Sequence, residues 1–127
     1  MINKHPKILV ITPTNHIKGL NKILNSIGKV DYLEDPTKKQ VEMIIEKYDA
    51  IFTNPNKSKV FLGKEVLDIA KSLKVICTAS TGTNHIDKRY AEMKGIEVIS
   101  ITNERKVINS ISSTAEHAFA LTLSSIR

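Results

Sequence analysis

The segment at residues 73–87, LKVICTASTGTNHID, decides the fold. Its first half, at residues 75–79, is apolar except for Thr78, and its second half is a run of small polar residues that contains Gly82. A nearly continuous apolar strand is typical of a parallel sheet that is covered on both faces. We therefore expect a central strand buried on both faces, then a loop, then a helix at residues 86–94 that ends at Gly95.

The same order of strand and helix continues on both sides of this segment. Apolar runs and helical spacing predict further strands at residues 7–12, 30–33, 50–53 and 98–101, and further helices at residues 16–27, 63–72 and 113–126, with another helix that starts near Pro36 or Thr37. Strands and helices alternating through short loops predict an α/β domain. We expect a flavodoxin-like parallel sheet of five strands in the order 2-1-3-4-5, with helices on both faces.

The composition of this chain of 127 residues excludes several kinds of site. No two of its five glycines lie within eight residues of each other, so neither a G-x-G-x-x-G turn nor a G-x-x-x-x-G-K-[ST] phosphate loop is possible. The single cysteine, Cys77, excludes an internal disulfide and a cysteine-based zinc site, and it favours a reducing, cytoplasmic location. No apolar run approaches the ~18 residues that a membrane span needs.

The net charge of +6 raises the question of nucleic acid. The lysines are spread along the chain, and many lie at helical spacing from acids, as Lys38 does from Glu42. Such pairs are typical of solvated helix faces. The six aromatic residues do not alternate with basic ones, so no surface for base stacking is visible and we expect no nucleic-acid partner.

Ligands bind to open parallel sheets outside the carboxyl ends of the strands, and the loop at residues 79–84 is the most informative one there. We expect Gly82 to allow a sharp turn, with Asn84 or His85 beginning the next helix. Backbone N–H groups arranged in this way favour a carboxylate or a phosphate. A tight turn that is capped by Asn84 explains the same residues, so both interpretations stay open.

The last predicted helix opens with Ser113 and Glu116, whose spacing makes a capping box and explains both residues structurally. His117 is adjacent to Glu116 and points about 100° away from it, so the two are not a natural hydrogen-bonded pair. His16 and His85 have no companions at metal-ligand spacing, and we expect no metal site.

Three ordered motifs, at residues 73–87, 94–98 (KGIEV) and 113–117 (STAEH), resemble those of the D-isomer-specific 2-hydroxyacid dehydrogenases, the relatives of D-3-phosphoglycerate dehydrogenase. The resemblance extends over essentially the whole chain. It implies a flavodoxin-like substrate domain, a Rossmann domain inserted into the chain, and an active site between the two. We expect residues 1–112 to form the substrate domain, and residues 113–127 to begin an inter-domain helix that leads into a Rossmann domain missing from this sequence.

The resemblance also implies which residues touch ligands. Asn54, Pro55 and Lys57 match one substrate loop of the family. A second substrate loop, matched by Ser80, Thr81 and Gly82, supplies backbone N–H groups to the substrate carboxylate. Thr114 stands at a position that approaches the nicotinamide of NAD. The family's catalytic arginine, glutamate and histidine belong to the segment beyond residue 127, so we expect no catalytic residue in this chain, and His117 is not the family's catalytic histidine.

The chain departs from the family pattern at two positions of the second loop. Ser80 stands where the family usually has glycine, and Asn84 where it often has aspartate. The first substrate loop also lacks the family's usual arginine–serine pair, which argues against phosphoglycerate as the substrate.

We therefore expect the substrate-binding part of an NAD-dependent oxidoreductase that acts on the CH–OH group of a D-2-hydroxy acid. It should be inactive alone and should bind NAD only within the intact enzyme. Because the last predicted helix is apolar on more than one side, we also expect a homodimer. The alternative is a stand-alone module that binds a small carboxylate or has a regulatory role.

Overall fold

The computed structural model describes residues 5–106 and shows an alternating series of strands and helices. These are β1 (Lys7–Val10), α1 (Leu20–Ile27), β2 (Lys29–Tyr32), α2 (Lys38–Ile44), β3 (Ala50–Thr53), α3 (Lys64–Ile69), β4 (Val75–Thr78), α4 (Lys88–Met93) and β5 (Glu97–Ile99). Two short 3₁₀ helices follow α2 and β5, at Ile45–Lys47 and Ile101–Asn103.

The five strands form one parallel sheet in the order β2-β1-β3-β4-β5, which confirms the predicted order. The order reverses at β1, because the chain first moves to one side of β1 and then crosses to the other. The carboxyl ends of all five strands meet at the same edge of the sheet. Ligand-binding loops are therefore expected at that edge.

Helices cover both faces of the sheet, as the sequence predicted. On one face, α2, α3 and α4 pack against alternate strand residues and form the larger of two apolar cores, so we call it the larger face. Its buried residues include Leu9, Ile11, Val41, Ile45, Ile51, Val66, Leu67, Ile76 and Ala91. On the opposite face, α1 contributes Leu24, which packs with Ile8 and Val10 of β1. The inter-domain helix predicted at residues 113–127 lies outside the described residues.

The prediction that β4 is buried on both faces is wrong for one of them. Ile76 and Thr78 are buried against the larger face, whereas Val75 and Cys77 on the opposite face are only half-buried. Among residues 5–106, the helix on this second face is α1, which packs over β1 and β2. An apolar groove lined by Leu24, Ile27, Phe52, Val75 and Cys77 is left over β3 and β4.

The start of α1 also differs from the prediction. The helix begins at Leu20 rather than at His16, because Gly19 has a φ of 84° and its left-handed backbone cannot continue a right-handed helix. The predicted end at Gly28 is confirmed. Gly28 is extended, and a side chain there would collide with the backbone carbonyl of Pro6.

The end of α4 at Gly95 is confirmed in detail. Gly95 has a φ of 74°, its N–H donates to the carbonyl of Glu92 (3.0 Å), and the N–H of Ile96 donates to the carbonyl of Ala91 (2.9 Å). These two bonds make a Schellman motif. Because Ile96 is buried, the motif anchors the chain where it enters β5.

We expect Gly95→Ala to lower the free energy of unfolding by about 1 kcal/mol, because a Cβ atom is strained in the left-handed backbone. Gly82→Ala is the matched control, since Gly82 has no positive φ and nothing in the described structure lies within 4 Å of an added Cβ. Its stability should be unchanged or slightly higher. Urea denaturation followed by circular dichroism measures both, and equal losses in the two variants would contradict this account.

Candidate functional site

The two loops that the sequence predicted to bind substrate leave neighbouring strands at the same edge of the sheet. Thr53 at the end of β3 pairs in register with Thr78 at the end of β4. The N–H of Ala79 donates to the carbonyl of Thr53 (2.9 Å), which extends this pairing by one residue. The loops that begin at Asn54 and Ser80 therefore start side by side.

The same two loops meet again further along the chain. The N–H of Leu62 donates to the carbonyl of His85 (2.9 Å), and the N–H of Asp87 donates to the carbonyl of Leu62 (2.9 Å). These bonds make an isolated parallel bridge between Leu62 and Ile86. Both loops are thus fastened at each end, which fixes their positions relative to each other.

In the loop at residues 79–84, three successive carbonyl groups accept hydrogen bonds. The Ser80 carbonyl accepts from the N–H of Ile101 (3.2 Å), the Thr81 carbonyl from the Thr102 hydroxyl (2.6 Å), and the Gly82 carbonyl from the Ser80 hydroxyl (2.7 Å). The backbone N–H groups of residues 80–84 make no hydrogen bond with any group in residues 5–106. Unpaired N–H groups in a turn form a concavity suited to an anion.

The predicted conformational reason for a glycine at position 82 is not met. We expected it to permit a sharp turn, but its φ is not positive, so the backbone there is open to other residues. No described atom lies within 4 Å of the place that a Cβ would occupy. Neither the backbone angle nor packing against the described residues therefore requires glycine at this position.

The prediction that Asn84 or His85 begins the next helix is wrong. Helix α4 begins at Lys88, and its cap is Asp87, whose carboxylate accepts from the N–H of Tyr90 (3.0 Å). The bridge to Leu62 holds residues 85–87 in extended pairing, which delays the helix. The alternative of a turn capped by Asn84 is therefore excluded, and any attraction for an anion comes from the loop N–H groups rather than from the end of α4.

The first predicted substrate loop is a compact turn. The carbonyl of Asn54 accepts from the N–H groups of Lys57 (3.2 Å) and Ser58 (2.8 Å), and its side-chain oxygen accepts from the N–H of Asn56 (3.0 Å). Pro55 and Lys57 are exposed. Lys57 is therefore an exposed positive charge on this turn, where it can attract a negative charge in solution.

His85, which the sequence predicted only as a possible start of the next helix, contacts the end of β4 instead. Its Nε2 lies 2.9 Å from the Thr78 hydroxyl, which in turn lies 2.7 Å from the Ser80 hydroxyl. Its Nδ1 is buried without a partner in the described structure, and burial lowers the pKa of the imidazole. A threonine that closes an apolar strand was the sequence signal for this cluster, because its hydroxyl needs a partner there.

Two hydroxyl groups at the carboxyl ends of the strands are shielded from solvent and unpaired in the described part of the chain. Thr12 and Thr53 are 3% and 0% exposed, and their Oγ1 atoms have no partner within residues 5–106.

Four residues of the last predicted helix lie outside the described residues: Ser113, Thr114, Glu116 and His117. In residues 5–106, no three His, Cys, Asp or Glu side chains come together as metal ligands. No helix in that range is long and apolar enough to cross a membrane.

The fold and the loop together define an open α/β domain whose carboxyl edge carries a loop with unpaired backbone N–H groups. Residues 8–126 match the family model for the D-isomer specific 2-hydroxyacid dehydrogenase, catalytic domain. The chain therefore belongs to the D-isomer specific 2-hydroxyacid dehydrogenase family, as its motifs predicted.

Individual relatives agree with this assignment. The D-3-phosphoglycerate dehydrogenases of Archaeoglobus fulgidus and Methanocaldococcus jannaschii are 29% and 30% identical to 95% of this chain, which spans 21% of the length of each. The crystal structure of D-lactate dehydrogenase from Aquifex aeolicus, complexed with NAD and lactic acid, is similar with a TM-score of 0.68 and 25% identity. That similarity covers 93% of this chain and 33% of the other.

We expect the stability of the chain to decrease on acidification partly through His85. Its pKa in the folded protein is below the unfolded value, so the unfolded chain takes up a proton first as the pH falls. The stabilisation that comes from a neutral His85 is therefore lost as the pH falls below about 6.5. His85→Gln removes the titrating group and should flatten the dependence between about pH 7.5 and pH 5.

The exposed His16 provides the control, and His16→Gln should keep the slope of the unchanged protein. Urea midpoints across this pH range measure the effect. If His85→Gln and the unchanged protein lose stability in parallel, burial of the imidazole does not contribute.

Proposed function

We propose that this chain is the substrate-binding part of an NAD-dependent oxidoreductase that acts on the CH–OH group of a D-2-hydroxy acid. The observation that carries the proposal is the loop at residues 79–84, where three carbonyl groups are occupied and the N–H groups are left for a ligand. This is the loop that the family resemblance assigns to the substrate carboxylate. Family membership and the similarity to a lactate-bound dehydrogenase support the same role.

The proposed contribution of this chain is binding and orientation. The N–H groups beside Ser80, Thr81 and Gly82 hold the carboxylate of the 2-hydroxy or 2-oxo acid, and Lys57 adds a positive charge near the same edge. The neighbouring strand ends keep both loops in place, so the carbon that bears the hydroxyl is presented in a fixed direction. We assign no catalytic residue to this chain.

The cofactor belongs to another part of the proposed enzyme. NAD would accept the hydride, but the chain has no glycine-rich turn to hold a dinucleotide. We propose that residues 1–112 form the substrate domain and that residues 113–127 lead into a Rossmann domain that provides this turn, with Thr114 near the nicotinamide. The share of the relatives' length that this chain spans supports the proposal.

A stand-alone module for a small carboxylate is the second candidate. It is favoured by the bonds from Ser80, Ile101 and Thr102, because these groups of the domain itself hold the three carbonyl groups of the loop at residues 79–84. A coding sequence that continues past residue 127 into a G-x-G-x-x-G segment would eliminate this candidate.

We expect the chain to bind 2-oxo acids weakly through the loop N–H groups and to show no oxidation of NADH with them. Titration of the ¹⁵N-labelled chain with pyruvate, glyoxylate and 2-oxoglutarate should shift the amide signals of residues 80–84. Gly82→Ala should weaken binding, because its methyl group enters the space beside these N–H groups.

Lysine variants test the proposed charge. Lys57→Gln should raise the dissociation constant by about two- to fivefold, as expected for a solvated charge near the ligand. Lys59→Gln is the matched control, since Lys59 is also exposed but lies outside the predicted contacts. Turnover by the chain alone, or equal effects of the two variants, would contradict the proposed division of roles.

We also propose that the sheet face beside α1, with its apolar groove over β3 and β4, is covered in the intact protein. The cover is either the rest of the polypeptide, including a final helix that returns to this domain, or a second subunit. Ile27 and Ile99 are 55% and 45% exposed, and the apolar groove adjoins Ile27. Exposed apolar surface of this kind favours association. The isolated chain should therefore self-associate as its concentration rises.

Sedimentation velocity tests this surface. The double variant Ile27→Ser and Ile99→Ser should sediment as a monomer at concentrations where the unchanged chain associates. Met43→Ser with Met93→Ser is the control, because these side chains are 76% and 73% exposed on α2 and α4. Equal effects of the two double variants would show that the sheet face is not the associating surface.

A further inference from the structure

A continuous chain of hydrogen bonds leads from His85 to the backbone of the anion-binding loop. It passes from His85 Nε2 to Thr78 Oγ1 (2.9 Å), to Ser80 Oγ (2.7 Å), and to the carbonyl oxygen of Gly82 (2.7 Å). Thr78 is 4% exposed, so this series of hydrogen bonds starts inside the domain and ends on the loop.

The direction of this chain follows from counting hydrogens. The Gly82 carbonyl can only accept, so the single hydroxyl hydrogen of Ser80 is directed to it. Thr78 must then give its own hydroxyl hydrogen to Ser80 Oγ. The Thr78 oxygen is left as an acceptor, and the donor to it is an N–H at His85 Nε2.

This direction determines the state of the imidazole. In the neutral ring, a hydrogen on Nε2 leaves Nδ1 as a bare lone pair. Nδ1 is buried without a partner in residues 5–106. A proton on that atom would be a buried donor with no acceptor, and burial lowers the pKa of His85 in agreement with a neutral ring.

The Gly82 peptide group, at which this series of hydrogen bonds ends, also carries one of the N–H groups of the loop. Its carbonyl accepts from Ser80, and the same peptide plane carries the N–H of Thr83 on the opposite side. Hydrogen bonds in series polarise one another, so a donor to the carbonyl strengthens the N–H as a donor. His85 thus acts on an N–H group of the loop without touching a ligand.

We propose that His85, as its Nε2–H tautomer, is the positioning residue that orients the peptide groups of residues 80–83 for a carboxylate. The inference rests on the proposed function for the choice of ligand. The hydrogen-bond chain itself does not depend on it. Thr78 and Ser80 transmit the effect, and a donor nitrogen at the place of Nε2 is the requirement.

The first experiment identifies the tautomer and needs no ligand. Long-range ¹H–¹⁵N correlation of the imidazole nitrogens in the labelled chain, with His85→Gln for assignment, should show the Nε2–H form for His85. The Nδ1–H form would overturn the proposal, because Thr78 Oγ1 would then lack its donor.

The second experiment tests the orientation of the loop. His85→Ala and Thr78→Val should change the amide shifts and speed the hydrogen exchange of residues 80–83, while the fold elsewhere keeps its signals. His85→Gln places an amide N–H near the position of Nε2, and Thr78→Ser keeps the hydroxyl. Both conservative variants should restore the pattern of the unchanged chain, and a loop that is unaffected by His85→Ala would overturn the proposal.

The third experiment connects the loop to binding, with pyruvate as the probe. His85→Ala and Thr78→Val should raise the dissociation constant by about tenfold, and His85→Gln should bind within about threefold of the unchanged chain. Equal weakening in His85→Ala and His85→Gln would overturn the positioning role. If the unchanged chain binds no 2-oxo acid, the proposed function fails, and the tautomer and exchange results still decide the role of His85.

Discussion

The hydrogen bonds to the carbonyl groups of Ser80, Thr81 and Gly82 are the constraint on which the rest of the site depends. A peptide group is planar, so a carbonyl that is fixed on one side places an N–H on the other. Two of the partners, Ile101 and Thr102, come from the segment after β5, and the third is the hydroxyl of Ser80 itself. The N–H groups of the loop therefore point away from the partners that hold its carbonyl groups. Gly82 contributes little to this orientation.

The sheet explains why these partners are available. Strand β4 pairs with β3 on one side and β5 on the other, so the segments that follow all three strands emerge side by side. The pairing of Thr53 with Thr78 places the two predicted substrate loops next to each other, and the pairing of Cys77 with Ile99 brings Ile101 within reach of Ser80. A shift in register would separate both sets of groups.

Apolar periodicity and a rule of topology predicted the sheet order and the loop at residues 79–84, whereas the substrate loop at Asn54 was implied by the family resemblance. The patterns predicted the wrong start for α4, because more than one residue before this helix can cap it. Asn84 and Asp87 are both able to cap a helix, and the bridge to Leu62, which no local pattern reveals, selects Asp87. The contact of His85 with Thr78 was missed because it arises from a loop that folds back on its own strand, which no local pattern shows.

The loop at residues 79–84 and the sheet face beside α1 differ in how far the described residues complete them. The loop at residues 79–84 is held by bonds from within residues 5–106, whereas the sheet face beside α1 leaves Phe52 and Cys77 half-buried and Ile99 exposed. Burial of apolar area contributes roughly 25 cal/mol per Å², so covering this face would add to stability without changing the loop. In the proposed function, ligand recognition depends on hydrogen-bond direction at the strand ends, and assembly depends on apolar area along the strands, so the two are physically separate.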